Sequence, residues 1–277
     1  MDHLEFWGRL IELLDADMQT PEMYGWFHLT FFALSVIAGL LLCRFRNGAD
    51  EHFVRRLLTF TGIVVVILEV YKQINFTFSY DGTKVSADYQ WYAFPFQFCS
   101  TPMFINILAG LIRNRKIHNA LSAYLATFAL FAGFAVMFYP ATVFIPTIGI
   151  NVQTMICHGS MITVGIYLLG TGYVKAEHRT ILKAIPVFCI CVGLAVIMNE
   201  VAYYSGLLET DNFNMFYISR HCEPSLPVYS LVQEAVPYPW CLFIYVAGFS
   251  AAAYIILLIA MLIKRCRISL KERRIAI

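Results

Sequence analysis

Of the 277 residues, 59% are hydrophobic and only 14% charged, with a mean hydropathy of +0.66. No water-soluble domain of this size hides that much apolar surface, so the chain reads as an integral membrane protein. A net charge of +2 argues against a nucleic-acid partner, and the eight cysteines lie mostly inside apolar runs, which argues against a secreted disulfide framework.

From the N-terminus, residues 3–18 place Leu4, Trp7, Leu10, Ile11 and Leu14 at helical spacing, opposite the acids. This predicts a short amphipathic helix on the membrane surface. The acids Asp2, Glu5, Glu12, Asp15 and Asp17 stand where a secretory signal would be basic, so no cleaved signal is read here. Seven apolar segments follow, at 24–43, 56–77, 94–113, 118–139, 154–174, 180–204 and 237–263. Each is near the roughly 20 residues that span a bilayer as a helix. No linker or internal repeat divides them. The expected fold is all-α, a single polytopic membrane domain over 1–277: an interfacial helix at 3–18, a seven-helix bundle at 24–263 and a basic tail at 264–277.

Basic residues set the expected orientation. Arg44, Arg46, Arg55 and Arg56 fall in the first connection, Arg113, Arg115 and Lys116 in the third, and Lys175, Arg179 and Lys183 in the fifth. The tail adds Lys264, Arg265, Arg267, Lys271, Arg273 and Arg274, whereas the opposite side holds Arg9, Lys84 and Arg220. Basic loops stay cytoplasmic, so the N-terminus is expected outside and the C-terminus inside, in a multi-pass protein of the cell membrane.

Polar residues recur at one depth. The second span carries Glu69, Lys72, Gln73 and Asn75 near its outer end. The third brings Gln97 and Cys99, with Asn106 further in; the fifth brings His158. The sixth ends in Asn199 and Glu200, and the first opens with His28. Such groups are costly in hydrocarbon, and their shared depth predicts a common cavity in the outer half. Glu69 and Lys72, spaced i, i+3, can pair with Gln73 beside them, as a structural bridge or as part of a site.

The stretch Trp91 to Asn106, WYAFPFQFCSTPMFIN, reads as interfacial aromatics leading into an apolar helix. Pro95 and Pro102 bracket Cys99 there, each removing a backbone donor and freeing a nearby carbonyl. A thiol and an imidazole at matching depth suit nucleophilic acyl chemistry: His158 takes the proton of Cys99, and the thiolate attacks an ester carbonyl. Gln97, Asn106 or Asn199 could orient the ring or donate to the oxyanion. The other cysteines read as small apolar residues. A metal on Cys99 and His158 ranks low, because no further soft ligands stand out.

Several short motifs carry a resemblance. Pro95-Phe96-Gln97-Phe98-Cys99 opens the third span, Cys157-His158-Gly159 follows about sixty residues on, and then come Asn212-Phe213-Asn214-Met215-Phe216, Pro224-Ser225-Leu226 and Pro239-Trp240. Over about 55–263 the chain resembles the YwaF-like family of bacterial multi-pass membrane proteins. Those in turn resemble eukaryotic transmembrane acyltransferases that remodel ether phospholipids through a cysteine and a histidine. The family pattern has Pro-x-His-x-Cys, so Gln97 stands at the histidine position, where it can hydrogen-bond but not shuttle a proton at neutral pH.

The resemblance implies Cys99 as nucleophile and His158 as base. The expected function is a membrane-embedded lipid acyltransferase or transacylase. Its partners would be membrane phospholipid and lysolipid, and it would need no metal or diffusible cofactor. With water as acceptor the same site is a lipid-ester hydrolase. A transporter or receptor with an outward polar cavity is the non-enzymatic alternative.

Overall fold

A computed structural model describes residues 3–45, 50–140, 143–206, 213–226 and 228–275. Asn212 of the aromatic motif and Arg46 of the first basic connection lie outside the described residues. The described chain is an all-α membrane bundle. Its helices are α1 (His3–Leu14), α2 (Trp26–Phe45), α3 (Glu51–Asn75), α4 (Thr101–Leu111), α5 (Arg115–Tyr124), α6 (Leu130–Phe138), α7 (Ile148–Gly170), α8 (His178–Ser205), α9 (Tyr229–Ala235) and α10 (Tyr238–Ile275). A π-helical turn, Leu125–Ala129, joins α5 to α6 without a break.

Among the described residues, five helices are long and apolar enough to cross a membrane: Trp26–Phe45, Arg115–Phe138, Ile148–Gly170, His178–Ser205 and Tyr238–Cys266. The other two expected spans differ. α3 is 25 residues long but carries Glu69 and Lys72 in its second half. The expected span at 94–113 is only half helical, because α4 is an 11-residue helix preceded by non-helical chain from Phe94 to Ser100. At 1.5 Å per residue α4 covers about 16 Å, roughly half of a bilayer's hydrocarbon. Pro102 lies in its first turn, where the missing N–H would have had no helical partner. This proline starts the helix instead of kinking it.

Local chemistry places the ends. The Asp50 side chain accepts from the His52 N–H at 3.0 Å and opens α3. Asn114 accepts from the N–H groups of Lys116 and Ile117 and opens α5. Between α3 and α4 lies a small antiparallel hairpin, β1 (Phe78–Tyr80) with β2 (Val85–Ala87), an addition to the expected all-helical chain. Gly82, at φ +91°, makes its turn. The Asp81 carboxylate accepts from the Thr83 and Lys84 N–H groups, which holds it below the usual carboxylate range. α1 packs beside this hairpin and α3, and the Tyr71 hydroxyl donates to the Leu14 carbonyl at 2.7 Å. The sequence predicts a basic tail from 264, and there α10 continues helically to Ile275.

Inside, α2 packs on α7, α3 on α4 and α5 on α8. Lipid tails are as apolar as leucine, so close packing and hydrogen bonds drive this association rather than burial from water. Gly62 shows how close α3 and α4 come: a Cβ there would lie 2.5 Å from Ile107 and 2.9 Å from the Met103 carbonyl. An aromatic group fills the centre. Phe188 stacks on Phe128 at 4.5 Å and meets Phe98 at 5.4 Å, and Tyr245 lies 4.4 Å from Phe249.

Into this centre runs a short non-helical turn around a single 3-10 segment, Met215–Tyr217. Phe213, Met215, Phe216, Ile218 and Ser219 are all buried. Phe216 and Tyr217 take positive φ, 58° and 57°, which strains a residue with a Cβ by about 1–3 kcal/mol each. Irregular backbone within a bundle persists only where its polar groups find partners. The partners here are side chains from elsewhere in the bundle.

Candidate functional site

Two of those partners are expected site residues. The Gln97 amide donates to the Asn214 carbonyl at 2.9 Å, and its oxygen accepts from the Phe216 N–H at 2.8 Å. Asn199 donates to the Met215 carbonyl at 3.1 Å and accepts from the Met215 N–H at 2.8 Å. Tyr245 adds a bond to the Phe216 carbonyl, and Asn214 accepts from Ser219. Both amides are therefore engaged at oxygen and nitrogen in holding the turn. The structure gives neither of them a bond to His158.

A second group joins α3 to α7. Glu69, only 4% exposed, pairs with Lys72 at 2.7 Å. It also accepts from Gln73 at 2.8 Å and from Gln153 at 3.2 Å. Gln73 in turn donates to the Ala93 carbonyl and accepts from the Tyr89 hydroxyl. Gln153 accepts from Thr154, whose carbonyl accepts from His158 Nδ1 at 2.7 Å. One polar chain thus runs from the buried ion pair to the backbone beside the imidazole. Gln153 and Thr154 were absent from the expected set, although Thr154 lies one helical turn before His158, a spacing visible in the sequence.

That bond defines the histidine. A carbonyl can only accept, so Nδ1 donates and carries a proton. In the neutral ring this leaves Nε2 as the lone-pair nitrogen, buried and with no hydrogen-bond partner. Cys99 is half-buried, in the turn just before α4. It is not bonded to Nε2. The contact between the two segments runs through the neighbouring residue, whose thiol, Cys157, donates to the Cys99 carbonyl at 3.9 Å. A side chain on Gly133 would come within 2.8 Å of the His158 carbonyl, so α6 presses directly on this part of α7.

The remaining expected members stand apart. Asn106 donates to the Pro102 carbonyl within α4, and its oxygen is buried without a partner. Glu200 forms a two-pronged pair with Arg220, at 2.8 and 3.1 Å, and meets His221, whose ring stacks on Tyr203. His28 is a structural tie: its Nδ1 accepts from the Tyr24 N–H, and its Nε2 donates to the Met137 carbonyl at 2.9 Å. A cavity of about 760 Å³ is lined by Tyr92, Asn214, Tyr217, Arg220, Glu223 and Tyr238 among others, but by neither Cys99 nor His158. The outer polar residues thus fall into the Gln97–Asn199 group at the turn, the Glu69-to-His158 chain and the Glu200–Arg220 pair, with Asn106 and His28 bonded separately. Among the described residues no three His, Cys, Asp or Glu side chains group as metal ligands would.

The apolar helices and their buried polar core define a multi-pass membrane protein. Over residues 23–263 the chain matches the model of the TMEM164 family, and it belongs to that family. No curated protein and no solved structure matched it.

Proposed function

We propose that this protein is a lipid acyltransferase or transacylase of the cell membrane, in which Cys99 carries the acyl group as a thioester. The observation that supports it best is the state of His158. Its Nδ1 is committed to the Thr154 carbonyl, which leaves a buried, unpartnered Nε2 one residue from the thiol that touches Cys99. An imidazole oriented through one nitrogen, with the other open, is the form a general base takes.

In this reading Nε2 removes the Cys99 proton, and the thiolate attacks the carbonyl carbon of a phospholipid ester. The tetrahedral intermediate collapses, the lysolipid oxygen leaves with the proton held by His158, and the acyl group remains on sulfur. An acceptor hydroxyl then gives its proton to Nε2 and attacks the thioester, which frees the thiol. Cys99 sits just before the N-terminus of α4, where the helix dipole favours negative charge. The steps require no metal or diffusible cofactor. The resemblance of the motifs to YwaF-like proteins and to ether-phospholipid acyltransferases points the same way.

The test is the intact mass of the purified protein after exposure to phospholipid. A hydroxylamine-sensitive acyl adduct that disappears in Cys99→Ala is expected. Full acyl transfer by Cys99→Ala overturns the reading. With water as acceptor the same adduct forms and free fatty acid is the product. The buried Glu69–Lys72 pair favours a second reading, a coupled transporter, which would tolerate Cys99→Ser.

A further inference from the structure

We propose that Cys99 and Cys157 are an oxidisable thiol pair that closes to a disulfide when a peroxide reaches Cys99. The two residues meet across the interface between the chain before α4 and the middle of α7, with Cys157 Sγ 3.9 Å from the Cys99 carbonyl. A disulfide needs Cβ atoms about 3.5–4.5 Å apart, so small adjustments decide whether neighbouring cysteines can join. One partner here can adjust. Cys99 lies in a turn, outside the helical ladder, whereas Cys157 is fixed on α7.

The order of events follows exposure. Cys99 is half-buried and Cys157 is 5% exposed, so peroxide meets Cys99 first. Hydrogen peroxide gives one oxygen to the Cys99 sulfur, producing the sulfenic acid and one water. The Cys157 sulfur attacks that sulfur, the S–S bond forms, and the hydroxyl leaves with the Cys157 proton as a second water. In total two thiols lose two hydrogens and one peroxide becomes two waters. A reductant reverses the step by thiol exchange. Without a partner thiol, the sulfenic acid is open to further, irreversible oxidation.

Loss of acyl transfer on oxidation would rest on the reading of Cys99 as nucleophile, but the disulfide itself does not. Full-length protein in lipid nanodiscs is treated with hydrogen peroxide, remaining thiols are alkylated, and the non-reduced digest is mapped by mass. The expected product is a Cys99–Cys157 linked peptide lacking two hydrogens and lost on reduction. In Cys157→Ala and Cys157→Ser, Cys99 should instead gain two or three oxygens. The proposal is overturned if Cys99 over-oxidises equally in wild type and both variants, if it links to another cysteine, or if it stays reduced while other thiols oxidise. Acyl-adduct formation measured on the same samples separates the two ideas. A linked peptide without any adduct in untreated protein would sink the acyl-transfer reading and leave this one standing.

Discussion

Replacing Asn199 by Leu removes two hydrogen bonds, one to the Met215 N–H and one to the Met215 carbonyl. The substituted side chain fills similar space, but it leaves the Met215 N–H and carbonyl without partners in a place where Met215 is fully buried. Each stranded group costs about 1–3 kcal/mol, so the turn loses about 2–6 kcal/mol. It also already carries the strain of two residues at positive φ. Gln97 and Tyr245 still hold Phe216, so the damage is local. Hydrogen–deuterium exchange in detergent should show this site by site. At about 1.4 kcal/mol per tenfold, a loss of 2 kcal/mol makes the Met215 amide exchange about 30-fold faster, while the Phe216 amide changes much less. Gln97→Leu should reverse the pattern. Unchanged Met215 exchange in Asn199→Leu, or equal loosening of both amides in both variants, would refute the assignment of the Met215 N–H to Asn199 and the Phe216 N–H to Gln97.

Lys72→Met should destabilise more than the double variant Lys72→Met/Glu69→Gln, because the single change strands a buried carboxylate at about 3–5 kcal/mol; additive shifts in thermal stability would show the two residues acting independently. His158→Ala should slow acylation of Cys99 by roughly two to four orders of magnitude, read from the rate at which the adduct appears, with thermal stability little altered. A cysteine placed at Glu177 should resist an impermeant reagent in intact cells while one at Ser225 is labelled, and the reverse result would invert the proposed orientation.

Composition alone made the membrane class legible, and the apolar runs placed most ends of the long helices within about six residues, although α10 runs on to Ile275 beyond the expected end at 263. The Glu69–Lys72–Gln73 cluster was legible too, because its members share one helical face at i, i+3 and i+4. The role of Gln97 was not. Its partners, Asn214 and Phe216, are more than a hundred residues away in the chain, and nothing local marks a glutamine that grips a distant backbone. Asn199 hid its role in the same way, since it sits on a helix while its partner lies in a turn beyond it. The break before α4 was misread because an apolar run looks the same whether or not its backbone is helical. Pro102 was a usable signal: a proline is at home in a first turn and would have placed the start of the helix near Thr101.

The turn at Met215–Tyr217 also constrains the order in which the chain can assemble. Local bonds join the Tyr217 N–H to the Asn214 carbonyl and the Ile218 N–H to the Met215 carbonyl, but the Met215 and Phe216 N–H groups and the Phe216 carbonyl are satisfied by Asn199 from α8, Gln97 from the chain before α4 and Tyr245 from α10. A helix can enter lipid alone because it closes its own hydrogen bonds, but this segment cannot. It must stay in contact with water until α10, which follows it in the sequence, has been inserted. The centre of the bundle is therefore completed last and from one end, by a piece of chain made before its final partner exists.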